Sequence, residues 1–280
     1  MKDKVCIVTG ANVGIGRVTA LELAKTGASV VMVCRNRDKG ESAASEIRRA
    51  SGNQSVQLLV GDLSSQDEIR DIAGEFREKF GALHVLVNNA GGLIPTRQVT
   101  PDGVEKTFAT NHLGYFLFTN LLLDLLKKSA PARIVNVSSD MHRVARLDFG
   151  NLQGERNYAQ FQAYALSKLA NLLFTYELAR RLDGTRVTVN ALHPGAIKSN
   201  FYNNSGSLLS FSSTLFGWAL RSPEKGAETV VYLATSPDVS SITGRYFKDK
   251  KMIASSKTSM DVAAQARLWE LSERMVGLKN

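Results

Sequence analysis

The fold of this chain is decided by the stretch Thr9-Gly10-Ala11-Asn12-Val13-Gly14-Ile15-Gly16. It follows a short apolar run at residues 5–8, typical of a buried parallel strand, and leads into residues 15–25, whose apolar side chains recur at helical spacing. Glycines let the backbone turn tightly and approach a pyrophosphate, and a helix N-terminus offers unpaired N–H groups. Between a first strand and a first helix, the stretch therefore predicts a dinucleotide-binding loop rather than a purely structural turn.

The same strand–helix unit repeats along the 280 residues. Buried strands are predicted at residues 29–34, 56–60, 83–88, 133–137 and 186–192, and helices at residues 38–50, 65–80, 101–128, 158–182, 223–235 and 259–275. A short strand near Tyr246-Phe247 closes the series. This alternation predicts an α/β protein, with a single doubly wound Rossmann domain over residues 1–280 and helices on both faces of a parallel sheet of about seven strands.

Composition excludes several other classes of protein. Hydrophobic residues make up 44% of the chain and charged residues 22%, which is globular usage and excludes a disordered chain. The net charge is +9, from 35 basic and 26 acidic residues, but no run of five basic residues occurs, so the charge indicates a solvated surface and no nucleic-acid partner. Cys6 and Cys34 lie in apolar runs and are interpreted as buried free thiols, and the spacing of histidines, cysteines and carboxylates predicts no metal site.

Two further features bear on location and on access to a site. The sequence shows no signal peptide and no uninterrupted apolar stretch of about 18 residues, which favours a soluble, cytoplasmic protein. Residues 196–222 are interpreted as a substrate-binding lid, because this long loop carries its own apolar residues: Leu208, Leu209, Phe211, Leu215, Phe216 and Trp218. The same side chains would equally pack against the domain or form a dimer contact, and together with the basic charge they permit weak contact with a membrane surface.

The glycine spacing is G-x-x-x-G-x-G, and further motifs follow it in a fixed order. They are Asp62-Leu63, Asn88-Asn89-Ala90-Gly91, Asn111, Ser139, Tyr164-Ala165-Leu166-Ser167-Lys168 and Pro194-Gly195. In these motifs the chain resembles the short-chain dehydrogenase/reductase family, over roughly residues 4 to 250. The resemblance implies an oxidoreductase that uses a nicotinamide dinucleotide.

The resemblance also implies which residues surround the cofactor. The glycine loop supplies the positions Gly10, Asn12, Val13, Gly14, Ile15 and Gly16. Asp62 is expected to bond the amino edge of adenine, with Leu63 packing on the ring, while the segment Asn89-Ala90-Gly91 passes beside the adenosine and its ribose. Pro194, Gly195 and Ile197 are expected to hold the carboxamide of the nicotinamide, and Asn111, Tyr164 and Lys168 complete the set.

The end of the second predicted strand indicates which cofactor is preferred. NAD enzymes place a carboxylate there to bind the adenosine ribose, whereas this chain has Cys34-Arg35-Asn36-Arg37. A guanidinium attracts the 2′-phosphate of NADP(H) and can bind it through two hydrogen bonds. The pattern therefore favours NADP(H) over NAD(H), with Arg35 as the main contact, although some family members use a basic residue at the position of Val13.

The candidate catalytic pair is Tyr164 and Lys168, which are four residues apart and share one face of a predicted helix. A free phenol has a pKa near ~10 and is a poor base at neutral pH, but a nearby ammonium favours the phenolate. Tyr164 is therefore the candidate acid for carbonyl reduction and base for alcohol oxidation. Ser139 follows a predicted strand and can polarise the substrate oxygen, and the resemblance gives Asn111 a water chain that leads to Lys168.

Two assignments near this pair have alternatives. Ser138 competes with Ser139, because consecutive strand residues point to opposite faces, and the family pattern selects Ser139. His142 lies in the stretch between Ser139 and Tyr164, which can form part of a substrate pocket. His142 is thus a candidate substrate contact, with a surface histidine as the alternative.

Within the family, the chain is most similar to the branch of retinol dehydrogenases and protochlorophyllide reductases. The similarity rests on Cys34-Arg35-Asn36, residues 135–139, Asn151-Leu152-Gln153, residues 167–171 and His193-Pro194-Gly195. That branch implies a lipophilic alcohol, aldehyde or ketone of retinoid, steroid or terpenoid type as the substrate. The alternative function is a catalytically silent cofactor sensor or scaffold of the same fold, although such relatives usually lose the tyrosine or the lysine.

The family also implies a homodimer or homotetramer built through the helices around Asn111 and Tyr164. The apolar residues that fit such a contact are Phe116, Leu117, Leu121 and Leu125. Core burial explains the same residues equally well, so the sequence leaves both interpretations open.

Overall fold

The computed structural model describes residues 1–196 and 221–278 and contains one sheet. Its strands are β1 (Val5–Thr9), β2 (Ser29–Cys34), β3 (Val56–Val60), β4 (Val85–Asn88), β5 (Ala132–Val137), β6 (Val187–His193), β7 (Tyr246–Lys248) and β8 (Lys251–Ile253). They lie side by side in the order β3-β2-β1-β4-β5-β6-β7-β8. Strands β1 to β7 are parallel, as predicted, and β8 is an additional edge strand that pairs antiparallel with β7.

The helices alternate with these strands. They are α1 (Gly14–Lys25), α2 (Arg37–Ser51), α3 (Gln66–Lys79), the short α4 (Lys106–Phe108), α5 (Gly114–Leu121), α6 (Leu123–Lys128), α7 (Gln160–Arg181), α8 (Pro223–Thr235) and α9 (Val262–Met275). Their starts follow local chemistry: the side chains of Asn36 and Ser65 accept hydrogen bonds from the first-turn N–H groups of Lys39 and Glu68, respectively.

The segment predicted as helical over residues 101–128 is broken into several pieces. A π turn at Ala109–Leu113 separates α4 from α5, and Leu122 separates α5 from α6. The apolar spacing of the sequence predicts a helical segment here, but it gives no sign of either break.

The core lies in two layers, one on each face of the sheet. Consecutive residues of β1 point to opposite layers: Ile7 packs with the layer of α3, α5, α7 and α9, whereas Cys6 and Val8 pack with the layer of α1, α2 and α8. Cys6 and Cys34 are buried free thiols, as predicted. This two-layer arrangement confirms the doubly wound α/β fold.

Helix α9 covers the face formed by α5 and α7. The Trp269 ring stacks on Phe174, with the ring centroids 5.8 Å apart, and meets the edge of Phe116 at 4.9 Å. Phe116, Leu117 and Leu125 are buried inside the chain itself, whereas Leu121 is half-buried. Core burial accounts for three of these four residues, and the homo-oligomer remains a prediction.

The order of the strands determines where a ligand can lie. The chain leaves β1 towards β2 and β3 on one side and later returns to β4 on the other side. In an open parallel sheet, a crevice forms outside the carboxyl ends of the strands where the order reverses in this way. The glycine loop after β1 and the segment after β4 both lie at that crevice. Ile197 and the apolar residues of the predicted lid, Leu208 to Trp218, lie outside the described residues.

Within residues 1–196 and 221–278, no helix is both long and apolar enough to span a membrane.

Candidate active site

The glycine loop packs tightly against the segment that follows β4. A Cβ atom on Gly16 would lie 2.3 Å from the carbonyl oxygen of Gly10 and 2.5 Å from Nδ2 of Asn89. Nδ2 of Asn89 donates to the Thr9 carbonyl at 2.8 Å, and Oγ1 of Thr9 accepts the N–H groups of Asn89 and Ala90 at 2.9 and 3.0 Å. These contacts require glycine at position 16 and fix the loop on the end of the sheet.

The start of α1 offers a cradle that fits a pyrophosphate. Gly14 begins the helix with a positive φ of 59°, and a Cβ atom there would have nothing within 4 Å. Val13 at the N-cap makes no side-chain cap hydrogen bond, so the first-turn N–H groups keep their capacity to bind an anion. The residues present therefore fit a dinucleotide at Gly10, Asn12, Val13, Gly14, Ile15 and Gly16.

Arg35, the residue predicted to select between NADP(H) and NAD(H), projects into solvent at the end of β2. The Arg35 side chain is 72% exposed, and its Nη1 lies 3.7 Å from Oδ2 of Asp62, the residue predicted to meet adenine. Asn36 caps α2, and Arg37 is the first residue of that helix. The structure thus brings Arg35 and Asp62 together at one edge of the crevice.

Leu63, which is predicted to pack on the adenine ring, is largely buried. It is 6% exposed and belongs to the core layer that contains α3, α5, α7 and α9. Contact between this side chain and an adenine ring stays a prediction.

Lys168 is the electrostatic centre of the candidate site. The residue is 3% exposed, and its ammonium donates to the Val137 carbonyl at 3.0 Å, at the end of β5. Nζ lies 5.5 Å from the ring centroid of Tyr164 and 5.8 Å from that of Tyr115, within the range of cation–π attraction. Burial lowers the pKa of Lys168 to about 7.

Tyr115 is a buried neighbour that the sequence reasoning missed. Its hydroxyl has no hydrogen-bond partner within the described part of the chain. Burial raises the pKa of this phenol well above its ordinary value, and Tyr164 adds to the effect. Tyr115 follows Asn111 by four residues, and that helical spacing was the signal that could have found it.

The π turn places Asn111 between the segment after β4 and helix α7. Asn111 Nδ2 donates to the Gly92 carbonyl at 2.9 Å and to Oγ of Ser167 at 3.0 Å, while its Oδ1 accepts the Gly92 N–H at 2.9 Å. A Cβ atom on Gly91 would lie 2.9 Å from Asn111 Oδ1 and 3.6 Å from Lys168 Nζ. Asn111, Gly91 and Lys168 therefore meet, as the predicted site requires.

The two serines after β5 have different surroundings. Ser138 is buried, and its Oγ donates to the Lys168 carbonyl at 2.8 Å, so it joins β5 to α7. Ser139 is 9% exposed, and its Oγ accepts the Met141 N–H at 3.2 Å at the start of the 3₁₀ turn Asp140–Val144. That bond leaves the Ser139 hydroxyl proton to be donated, which favours Ser139 over Ser138 as the group that polarises a substrate.

His142 is neither a surface histidine nor placed to bind a substrate. It is 1% exposed, and both of its ring nitrogens are engaged inside the chain. Nδ1 contacts the Ser139 carbonyl at 2.7 Å, and Nε2 accepts the Ser256 N–H at 3.0 Å. The predicted substrate contact is therefore corrected, because no polar ring atom is left for a substrate.

The turn after β6 is packed closely against Arg221. Gly195 has a φ of +94°, and a Cβ atom there would lie 2.6 Å from Cδ of Arg221. The Arg221 N–H donates to the Ala196 carbonyl at 2.7 Å, and its guanidinium pairs with Asp249. Pro194 and Gly195 thus lie at the carboxyl edge of the sheet, as predicted for the nicotinamide end of the site.

A polar cluster next to Ser139 was missed by the sequence reasoning. The Asp140 carboxylate accepts hydrogen bonds from Tyr246 Oη at 3.1 Å and from Lys248 Nζ at 3.0 Å, and it lies 3.5 Å from Nε2 of His193. His193 immediately precedes Pro194-Gly195, and that adjacency was the available signal. In the described ranges, no group of three or more histidines, cysteines and carboxylates is arranged to hold a metal ion.

Comparisons with known proteins agree with this geometry. A family model described as short chain dehydrogenase matches residues 4–207. Retinol dehydrogenase 12 of Mus musculus is 45% identical over 276 residues, which covers 99% of this chain and 87% of that protein. Retinol dehydrogenase 14 of Homo sapiens is 43% identical over 294 residues, covering 99% of this chain and 88% of that protein.

Solved structures are similar over the same length. A protein of Mycobacterium paratuberculosis, described as uncharacterised, has a TM-score of 0.80 and 33% identity, covering 99% of this chain and 94% of that chain. A short chain dehydrogenase from Escherichia coli CFT073, solved in complex with NADPH, has a TM-score of 0.70 and 26% identity, covering 90% of this chain and 98% of that chain.

Proposed function

The chain belongs to the short-chain dehydrogenase family, and from that membership we propose that it is an NADP(H)-dependent enzyme that interconverts a lipophilic alcohol with its aldehyde or ketone. Family membership and the retinol dehydrogenase relatives already make it an oxidoreductase that acts on alcohols. The proposal adds the cofactor, the acid–base residue and the class of substrate.

The observation that carries the proposal is the position of Lys168 beside Tyr164. The Lys168 ammonium is held on the Val137 carbonyl at 3.0 Å, with the Tyr164 ring centroid 5.5 Å away. A positive charge at that distance in a low-dielectric site stabilises a phenolate more strongly than it does in water. This is the arrangement that lets a tyrosine exchange a proton at neutral pH.

The proposed reaction divides among three side chains. In reduction, Tyr164 gives its phenolic proton to the carbonyl oxygen of the substrate, and in oxidation the phenolate takes the alcohol proton. The Ser139 hydroxyl donates a hydrogen bond to the same oxygen and stabilises the charge that develops there. Lys168 stabilises the phenolate that remains on Tyr164. When bound, the nicotinamide supplies the hydride for reduction or accepts it in oxidation.

The choice of NADP(H) rests on charge at the end of β2. Arg35 presents an exposed guanidinium, and the position is free of a carboxylate that would repel a 2′-phosphate. The Asp62 carboxylate lies 3.7 Å from this guanidinium, so the two predicted cofactor contacts are neighbours. The related Escherichia coli structure that contains NADPH is consistent with this choice.

The class of substrate rests on the relatives. Proteins named retinol dehydrogenase are 43–45% identical over nearly the whole chain, so a retinoid is the first substrate to test. Steroid and terpenoid carbonyls share the same chemistry, a carbonyl on a large apolar body, and are tested beside it.

The experiment is a cofactor titration followed by a turnover assay. Purified protein is titrated with NADPH and with NADH by nicotinamide fluorescence, and absorbance at 340 nm is followed with retinal, a steroid ketone, a terpenoid ketone and an aromatic aldehyde. We expect tighter binding of NADPH and turnover of at least one apolar carbonyl. Binding without turnover of any carbonyl or the corresponding alcohols would favour the cofactor sensor instead, and failure to bind either cofactor would overturn the proposal.

A further inference from the structure

The peptide group between Ser139 and Asp140 is bonded to an imidazole at each of its polar atoms. The Ser139 carbonyl oxygen lies 2.7 Å from Nδ1 of His142. The Asp140 N–H, at the other end of the same peptide group, donates to Nδ1 of His193 at 3.3 Å. Since a peptide group is planar, two such bonds on opposite sides restrict its rotation.

The partners of the two rings specify where each proton lies. The Ser256 N–H can only donate, so Nε2 of His142 is an acceptor and its proton is on Nδ1, which donates to the Ser139 carbonyl. His193 accepts through Nδ1, so its proton is on Nε2, which faces the Asp140 carboxylate at 3.5 Å. The two histidines are therefore neutral and of opposite tautomer.

Both acceptor atoms disappear on protonation, because an imidazolium has two donors and no acceptor. Protonation of His142 would break its bond from Ser256, and protonation of His193 would break its bond from Asp140. Desolvation is the largest influence on each ring, and it lowers the pKa of both.

Charged groups around the rings act in both directions on the pKa values. Around His142, Asp140 and the Ser139 carbonyl favour protonation and Arg143 opposes it, while the Tyr246 ring packs edge-on at 5.1 Å. Around His193, Asp140 and Asp249 favour protonation, whereas Lys248 and Arg221 oppose it. Burial prevails at both rings, so both are neutral at pH 7.

We propose that His142 and His193 are positioning residues that hold the Ser139–Asp140 peptide in one orientation and thereby aim the Ser139 hydroxyl at the substrate oxygen. His142 joins this peptide to the segment before α9 through Ser256, and Arg143 bonds the Ala254 carbonyl of the same segment. His193 joins it to the turn at Pro194-Gly195. The inference rests on the proposed function, since it concerns the serine of that reaction.

Matched substitutions separate this role from a purely structural one. His142→Asn keeps an N–H donor where Nδ1 lies, and His193→Asn keeps an oxygen acceptor there, whereas the Leu variants keep neither. We expect His142→Leu and His193→Leu to lower kcat for carbonyl reduction by about tenfold to a hundredfold, because small displacements of a catalytic group are costly. The KM for NADPH should change less than about twofold, and the Asn variants should recover most of kcat.

The pH profile gives an independent readout. Reduction consumes a proton, so Tyr164 acting as the acid predicts no loss of kcat on the acid side. The histidine pair predicts a loss of kcat at pH values below the ordinary histidine range in the wild type, and in each Asn variant this acid limb becomes shallower because that site no longer titrates. Leu variants with wild-type kcat, or a folded Asn variant with the wild-type acid limb, would overturn the proposal. If the Leu variants fail to fold, the Asn profiles alone decide the question.

Nitrogen-15 NMR of the histidines tests the geometry without any turnover. The chain contains four histidines, so each signal can be assigned by substitution. At pH 7 we expect His142 protonated on Nδ1 and His193 on Nε2, both titrating below the ordinary histidine range. Identical tautomers, or an imidazolium at pH 7, would contradict the inference. Confirmation by NMR without turnover of any alcohol or carbonyl would retain the peptide geometry while the proposed function fails.

Discussion

The site at the carboxyl edge of the sheet has two sides, one formed mainly by backbone groups and the other mainly by side chains. Above β1, β2 and β4, the site consists largely of backbone: glycines, helix N–H groups and the Thr9 and Asn89 bonds that fix them. Above β5 and β6, it consists of side chains whose supports come from distant parts of the chain, such as Ser256 and Lys248. The first side is suited to binding a ligand that many proteins share, and the second to a reaction that depends on single atoms.

The largest expected effect tests the side of the site above β5 and β6, which consists of side chains. Tyr164→Phe removes the proton donor and leaves the glycine loop intact, so kcat should fall by about a thousandfold or more while the Kd for NADPH changes less than about twofold. Turnover at 340 nm and fluorescence titration measure the two quantities. Tyr232→Phe on α8 is the matched control, with no expected effect on kcat. Undiminished turnover by Tyr164→Phe would contradict the proposed mechanism.

Lys168→Met tests how much stability the same side of the site costs the folded protein. We expect at least about a hundredfold loss of kcat, because the phenolate loses its cation. Burial lowers the pKa of Lys168 to about 7, against about 10.4 in an unfolded chain, so between these values the unfolded state binds a proton that the folded state lacks. Wild-type stability should therefore rise with pH across this window, and the rise should be missing in Lys168→Met.

Urea unfolding of the cofactor-free protein at pH 7 and pH 9 measures that difference. The free energy of unfolding of Lys168→Met should exceed the wild-type value at pH 7, with a smaller gap at pH 9. Lys127→Met, an exposed lysine of α6, is the control and should follow the wild type. A gap that stays constant between the two pH values would show that the ammonium is not the source of the difference.

Arg35→Ala tests the other side of the site, where this side chain is predicted to select the cofactor at the end of β2. Losing a charged hydrogen bond of about 1.5–3 kcal/mol should weaken NADPH binding by about ten- to 150-fold. Binding of NADH should be nearly unchanged, because NADH has no 2′-phosphate. Arg49→Ala, at the far end of α2, is the control for net charge. Equal losses for both cofactors would show that Arg35 does not select between them.

The smallest expected effect is the difference in stability between alanine substitutions at two glycines. Gly16→Ala would bring a Cβ atom to 2.3 Å from the Gly10 carbonyl, so it should cost about 1–3 kcal/mol of stability and weaken cofactor binding. Gly74→Ala in α3, with nothing within 4 Å, should instead stabilise by about 0.5–1 kcal/mol. Thermal unfolding measures both, and a Gly16→Ala variant as stable as Gly74→Ala would contradict the close packing of the loop.

The same division explains what could be predicted from the sequence. The glycine loop and the Tyr164–Lys168 pair are local patterns, because a turn or four helical residues determine their geometry. The structure brings Asn111, Gly91 and Lys168 together as expected. Their roles in catalysis and cofactor binding stay predictions until they are measured.

The failures concern contacts between distant residues. His142 was expected at the surface or at a substrate, yet its ring partners include Ser256, which is 114 positions away. Tyr115 was not predicted at all, and its buried ring lies near Lys168 only because α5 and α7 pack against each other. No periodicity in the sequence contains such information, because it depends on which strands become neighbours and on what fills the space between helices.

The π turn at Ala109–Leu113 also bears on which insertions and deletions the chain tolerates. A π turn holds one residue more than the corresponding α turn. Deleting one residue there would restore ordinary helical winding and rotate the preceding residues by about 100° relative to α5. The buried side chains just before the turn, Thr107 and Phe108, would then be turned away from the core positions that they occupy. In this segment the deletion of a single residue should therefore be more damaging than most substitutions, because it changes the direction of all the helical side chains that precede the turn.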